Sequence, residues 1–307
     1  MKILIVKLGY SETLDSEVSK VVSLGDIVRT TPILEGLKEK YPGSKIIFLT
    51  DSKARELVEG NPYIDTLLIW DEFIGFLLLR ERFDIVINLE KHPGICALTD
   101  MIDAWQKFGF RLGKNLDVDE YEKKVSFIDY INNKERKKDY WQKVLIEHLG
   151  IEWKGQKYSV GYKPKTEEIF DIGLNYQVGS KWPTKAMGKY KWELLYEKLT
   201  SMGYKVDWQR GLNSLNEYMD WINSCRILIT HDSLGLHLAM AFEKKVIGLF
   251  GPTGFEEIYP YSNAKFLKSP SKCPMLPCYS PKCEYEKFCM DEFDIDEIIK
   301  RIKDIDE

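Results

Sequence analysis

An apolar run, Ile227-Leu228-Ile229-Thr230-His231, ends at Asp232 and gives way at once to Ser233-Leu234-Gly235-Leu236-His237-Leu238-Ala239. A strand that turns this abruptly into a helix aims the helix's unpaired first N–H groups at whatever lies past the strand end. Those donors, with the helix dipole behind them, suit a diphosphate, and Ser233, Leu234 and Gly235 supply the backbone. The dipole alone contributes only about 0.3–1 kcal/mol, so a cation has to assist it. Asp232 repels phosphate as a carboxylate and is better suited to accepting hydrogen bonds from sugar hydroxyls. His237 lies on the same helix. The plainer alternative is an Asp232 that caps the helix and a His237 packed in the core, and local spacing favours neither reading.

Three further segments offer matching chemistry. Gly179-Ser180-Lys181-Trp182-Pro183-Thr184-Lys185 follows a strand-like stretch, and Lys181 and Lys185 are compact charges that suit phosphate oxygens, although surface lysines are common. Phe250-Gly251-Pro252-Thr253-Gly254 again ends a strand; Gly251 permits close backbone approach and Thr253 adds a hydroxyl, but most such turns bind nothing. Ser23-Leu24-Gly25-Asp26 opens a helix, where the Asp26 carboxylate can take a proton from an acceptor hydroxyl or simply cap the helix. A different chemistry is suggested by Cys273, Cys278, Cys283 and Cys289, set among Pro274, Pro277 and Pro281. Four thiolates on a stiff loop can close round structural zinc or iron, and free buried thiols and disulfides are the other options. Cys96 and Cys225 stand alone in apolar stretches and read as core residues.

The elements that must position these residues alternate along the chain. Strand character at Lys2–Leu8, Lys45–Thr50, Thr66–Trp70 and Phe83–Leu89 alternates with helical spacing from Ile27 to Tyr41, over Ser52–Glu59 and near Ile95–Trp105. A charged helix spans residues 134–149, and its Lys134, Arg136, Lys137, Lys138 and Lys143 could face a phosphate-bearing acceptor or an anionic membrane, although the interleaved Glu135, Asp139 and Glu147 favour a plain solvated face. The rhythm restarts at Ile169–Gln177 and runs through Lys191–Met202, Lys205–Trp208, Leu215–Cys225, Arg226–Thr230, Ser233–Phe242 and Lys245–Phe250. The expected fold class is therefore α/β, two Rossmann-like domains with parallel sheets and ligands bound beyond the strands' C-terminal ends. The expected boundaries are a domain over 1–150, a polar linker over 151–168 and a domain over 169–293 holding the Cys-rich loop 273–289. A last helix over 294–307 carries a stripe of Ile295, Ile298, Ile299 and Ile302 and is expected to pack back across the halves.

At 307 residues the chain has room for two domains. Its net charge of −4 argues against a nucleic-acid partner. The N-terminal apolar run is too short for a secretory signal, and no run approaches the roughly 18 residues that span a bilayer. The expected location is the cytoplasm, with membrane-borne substrates met at the inner membrane surface.

Taken together and in order, the segments resemble family 9 glycosyltransferases, the group that includes lipopolysaccharide heptosyltransferases. The resemblance rests on the opening strand, Ser23-Leu24-Gly25-Asp26, Arg29-Thr30-Thr31-Pro32, Gly179 to Lys185, Asp232 to Ala239 and Leu249-Phe250-Gly251-Pro252-Thr253. It implies a GT-B fold whose first domain serves the acceptor and whose second binds a nucleotide-diphosphate sugar. It also implies transfer of heptose or a similar sugar to a glycan or glycolipid hydroxyl, with inversion and no catalytic cofactor. Asp26 would be the general base, Lys185 a phosphate partner, and Asp232 the holder of sugar hydroxyls. Some relatives carry a comparable cysteine-rich stretch, and one branch holds iron there. Two segments depart from the pattern: Gly9 to Ser23 is long, and Ala186-Met187-Gly188 stands where Trp-Pro is common. A nucleotide-sugar epimerase or hydrolase on the same architecture, or a non-catalytic nucleotide-sugar-binding protein, are the competing readings.

Overall fold

Ile3, Leu4, Ile5 and Val6 are all buried, as a strand covered by helices on both faces requires. They form β1 (Lys2–Val6) in the computed structural model, which describes the chain apart from residues 12, 134–137, 210, 212 and 307. The chain divides into two units, Met1–Tyr162 and Lys163–Glu307.

In the first unit β1 is followed by α1 (Leu24–Thr30), α2 (Pro32–Lys40), β2 (Lys45–Thr50), α3 (Arg55–Val58), β3 (Thr66–Ile69) and α4 (Ile74–Leu78). Next come β4 (Arg82–Asn88), α5 (Pro93–Met101), β5 (Asp103–Leu112), β6 (Val118–Glu120), α6 (Phe127–Asn132) and α7 (Trp141–His148). The strand order is β3-β2-β1-β4-β5-β6, parallel throughout except for the antiparallel β6. Strand order reverses between β1 and β4, so this sheet's crevice opens past Val6 and Asn88. Glu90 is buried there. Its carboxylate accepts the N–H groups of Leu8 and Gly9 at 2.7 Å each and of Tyr10 at 2.9 Å, with Lys7 Nζ 3.2 Å away. Three donors and a cation offset the cost of burying that charge and anchor the start of the Gly9–Ser23 segment. The segment closes where Ser23 N–H donates to Gly9 O at 2.9 Å, directly before α1, and Gly9 takes the φ of +83° this turn needs.

Several expectations are corrected here. The helical stretch from Ile27 to Tyr41 is two helices, because Pro32 has no N–H to continue α1 and starts α2 instead. The helix expected to reach Trp105 stops at Met101; Ile102 is extended, and pairing with β4 draws Asp103 onward into β5. The charged helix begins at Trp141, and Lys134, Arg136 and Lys137 lie outside the described residues. The stretch expected as a linker is tied down. Gly161 N–H donates to Leu57 O at 2.8 Å, Ser159 N–H to Thr31 Oγ1 at 2.9 Å, and Ile151 is buried beside Gly36.

The second unit runs β7 (Phe170–Asn175), α8 (Lys189–Ser201), β8 (Val206–Trp208), α9 (Leu215–Asn223), β9 (Cys225–His231), α10 (Leu234–Ala241), β10 (Lys245–Phe250), β11 (Ala264–Lys268) and α11 (Ile295–Asp306). Its sheet is parallel in the order β11-β10-β9-β7-β8. The order reverses between β9 and β7, so the crevice lies past His231 and Asn175. The isoleucine stripe of α11, with Ile305 added, joins this unit's own core beside Ile247, Leu249 and Leu267. That is where the helix expected to cross the halves spends its apolar face. Among the described residues no helix is long and apolar enough to cross a membrane.

Candidate active site

β9 is buried from end to end except at Arg226, and at its C-terminal edge the chain turns through Asp232 and Ser233 into α10. Three side chains converge on the Asp232 carboxylate. Lys185 Nζ lies 2.6 Å from Oδ2, Thr253 Oγ1 donates to the same oxygen at 2.8 Å, and His237 Nε2 is 3.8 Å from Oδ1. The pair is sheltered, with side chains only 16% exposed at Lys185 and 11% at Asp232. Lysine has three donors, so Lys185 can hold Asp232 and still offer N–H to a phosphate oxygen. Its ammonium also lies 5.3 Å from the centre of the Trp182 ring. Lys181 is half-buried, four residues earlier on the same loop.

The Lys185 loop is fixed to the strand by a residue that sequence reasoning quoted but gave no role. His231 Nε2 accepts the Met187 N–H at 2.9 Å, so the ring's proton resides on Nδ1. Burial pushes His231 down to about 3, and the nearby Lys185 charge adds to the effect while Asp232 opposes it. A neutral imidazole is thus built into the site's frame. An unfolded histidine titrates near ~6.5. Between that value and 3 the unfolded chain binds a proton the folded one refuses, so stability falls as pH drops through this window. The slope has a ceiling of about 1.4 kcal/mol per pH unit. Urea midpoints of wild type and His231→Asn measured from pH 7 to pH 4.5 should therefore fall more steeply for wild type; parallel curves would refute this role.

The glycines serve packing more than ligand access. A Cβ on Gly235 would meet Asn175 Nδ2 at 2.4 Å and Tyr218 Oη at 2.5 Å, and one on Gly251 would meet Met290 Sδ at 2.5 Å and Cys289 Sγ at 2.9 Å. Each bare position is filled from the protein side. Asn175, at the end of β7, and Tyr218, in α9, were not foreseen as site residues. The only local signal was a polar side chain ending an apolar strand.

Asp26 occupies the first turn of α1, 45% exposed at its side chain and 3.5 Å from Arg29. Ser23 makes no side-chain cap to this helix.

The cysteines do not form the expected closed site. All four are free thiols: Cys273 and Cys278 half-buried, Cys283 exposed and Cys289 buried. Burial first, and the other three thiols second, push Cys289 up to about 11. Among the described residues, no three His, Cys, Asp or Glu side chains are grouped to hold a metal ion. Cys289 lies against Gly251 while Cys283 is exposed. The loop instead braces the site, with Tyr279 N–H donating to Pro252 O at 2.8 Å and Thr184 Oγ1 to Ser280 O at 2.7 Å.

Residues 210–288, which include the Asp232 turn and Thr253, match the sequence profile described as Glycosyltransferase family 9 (heptosyltransferase). A lipooligosaccharide heptosyltransferase 2 of Campylobacter jejuni subsp. jejuni is 22% identical over 308 residues, covering 92% of this chain and 95% of that protein. Over this segment and along its length, the chain is similar to heptosyltransferase-like family 9 glycosyltransferases. The fold agrees with that similarity. The E. coli heptosyltransferase WaaC solved with ADP matches at a TM-score of 0.67 and 14% identity, over 99% of this chain and all of that one (100%). The E. coli ADP-heptose lps heptosyltransferase II matches at 0.69 and 13%, covering 99% and 98%. The architecture is GT-B, α/β with two mainly parallel sheets.

Proposed function

We propose that this protein transfers a heptose-type sugar from an ADP-linked donor to a hydroxyl of a lipopolysaccharide-type acceptor, inverting the anomeric carbon without a catalytic metal. The observation that carries the reading is the convergence of Lys185, Thr253 and His237 on Asp232, beside the N-terminus of α10. The choice of ADP-heptose draws on the relatives' names and on the ADP held by one matching structure.

In this mechanism Asp232 accepts hydrogen bonds from the donor sugar's hydroxyls, and His237 and Thr253 keep its carboxylate oriented. The backbone N–H groups after Ser233 receive the diphosphate, where Gly251 and the Lys181–Lys185 loop border the site. Asp26 removes the acceptor proton, and the freed oxygen attacks the anomeric carbon opposite the nucleotide. Charge then grows on the departing diphosphate, which Lys185 and the α10 terminus stabilise. No step calls on the cysteine loop, whose role is to brace Pro252 and Thr184.

A thermal-shift series with ADP-, GDP-, UDP- and dTDP-linked sugars tests the reading, since a ligand that binds only the folded state raises apparent stability. ADP-heptose is expected to give the largest upward shift, and acceptor-dependent ADP release should follow. ADP release without acceptor would favour the hydrolase alternative. No shift with any of the four nucleotides would end the proposal.

A further inference from the structure

Serine at the start of a helix ordinarily accepts a hydrogen bond from an N–H of the first turn. Ser126 does so for Asp129 in α6, and Ser214 for Glu217 in α9. Ser233 occupies the same position before α10, with extended φ of −146° and ψ of 178°, and makes no side-chain bond to its helix. Its hydroxyl is engaged elsewhere, 3.2 Å from Asn175 Nδ2 and 3.3 Å from Thr230 Oγ1.

Proton counting fixes the direction of each bond. Tyr218 OH donates to Asn175 Oδ1 at 2.9 Å, which leaves the Asn175 amide N–H groups to donate to Thr230 Oγ1 at 2.7 Å and to Ser233 Oγ. Thr230 spends its own proton on His231 O at 3.0 Å, so the Ser233 proton goes to Thr230. The Ser233 hydroxyl thus both accepts and donates without reference to α10. Asn175 is fully buried, and it and Tyr218 fit beneath the first turn only because Gly235 has no Cβ.

We infer that Asn175, oriented by Tyr218, is a positioning residue that draws Ser233 off its helix and so keeps the first-turn N–H groups of α10 open to the donor's diphosphate. This rests on the diphosphate site proposed above. Released from Asn175, Ser233 would cap its own helix and compete with the phosphate for the same donors.

The test is a double-mutant cycle read by calorimetric titration with ADP. Asn175→Ala in the otherwise native protein is expected to weaken ADP binding about fivefold, the equivalent of one helix cap. In a Ser233→Ala background the same substitution should change affinity by less than about twofold, because no hydroxyl is left to compete. A purely structural role for Asn175 predicts equal losses in both backgrounds, and equal losses, or none, would overturn the inference. Should Asn175→Ala fail to fold, Tyr218→Phe replaces it in the same cycle. Wild type that binds no ADP would instead defeat the diphosphate site itself, while clear binding with no coupling defeats only the role given to Asn175.

Discussion

Asp26→Asn is expected to lower the turnover rate by about 10²–10⁴ while ADP affinity stays within about twofold of wild type. Asparagine keeps the size and hydrogen-bonding reach of the carboxylate but cannot take up a proton. The residue sits in the first turn of α1, half-exposed, on a helix that Ser23 does not cap by its side chain, so the substitution removes no cap bond made by that serine. Arg29, 3.5 Å away, loses an exposed ion-pair partner, which costs little stability. The loss should therefore appear in kcat, with donor KM unchanged. A parallel fall in nucleotide affinity would show that Asp26 serves binding and would remove it as the base.

The second large effect is expected at Lys185. Lys185→Met keeps the aliphatic stem but deletes the cation 2.6 Å from Asp232, and kcat/KM should drop by about 10²–10³, as when one stabilising group is removed from a departing oxyanion. Part of that loss comes from the carboxylate left behind, since a sheltered Asp232 without its lysine repels the incoming diphosphate. Adding Asp232→Asn to Lys185→Met should accordingly restore some ADP affinity, though not turnover, because the sugar hydroxyls would then lack their charged acceptor. Lys185→Arg is not a neutral control, as a planar guanidinium cannot replace a compact ammonium beside Trp182. A kcat/KM for Lys185→Met within tenfold of wild type would refute the role.

Much of the fold was legible because its strands are local apolar runs. Lys45–Thr50 and Lys245–Phe250 fall on the expected residues, and the helix after Asp232 begins one residue past Ser233. Where local pattern misled, a partner strand or a proline decided the outcome. β5 takes up Asp103–Leu112 because β4 offers it hydrogen bonds, and β11 is a short edge strand whose mixed sequence, Ala264-Lys265-Phe266-Leu267-Lys268, gives a weak signal until β10 is beside it. The cysteine spacing likewise bounded how near the thiols could come without saying which way each would point; Cys289 turned inward and Cys283 outward.

On its own, the order of residues specified two α/β repeats, the strand-to-helix turn at Asp232, and loops carrying Lys185 and Thr253 at other strand ends. Only the folded chain brings those loops together on one carboxylate, across 47 and 21 positions of sequence. It alone seats Glu90 under the Leu8–Tyr10 amides and pulls Ser233 toward Asn175 across 58 positions. The reason is physical: periodicity records what each segment buries against its nearest neighbours, whereas the meeting of distant side chains depends on strand order, which no short stretch of sequence encodes.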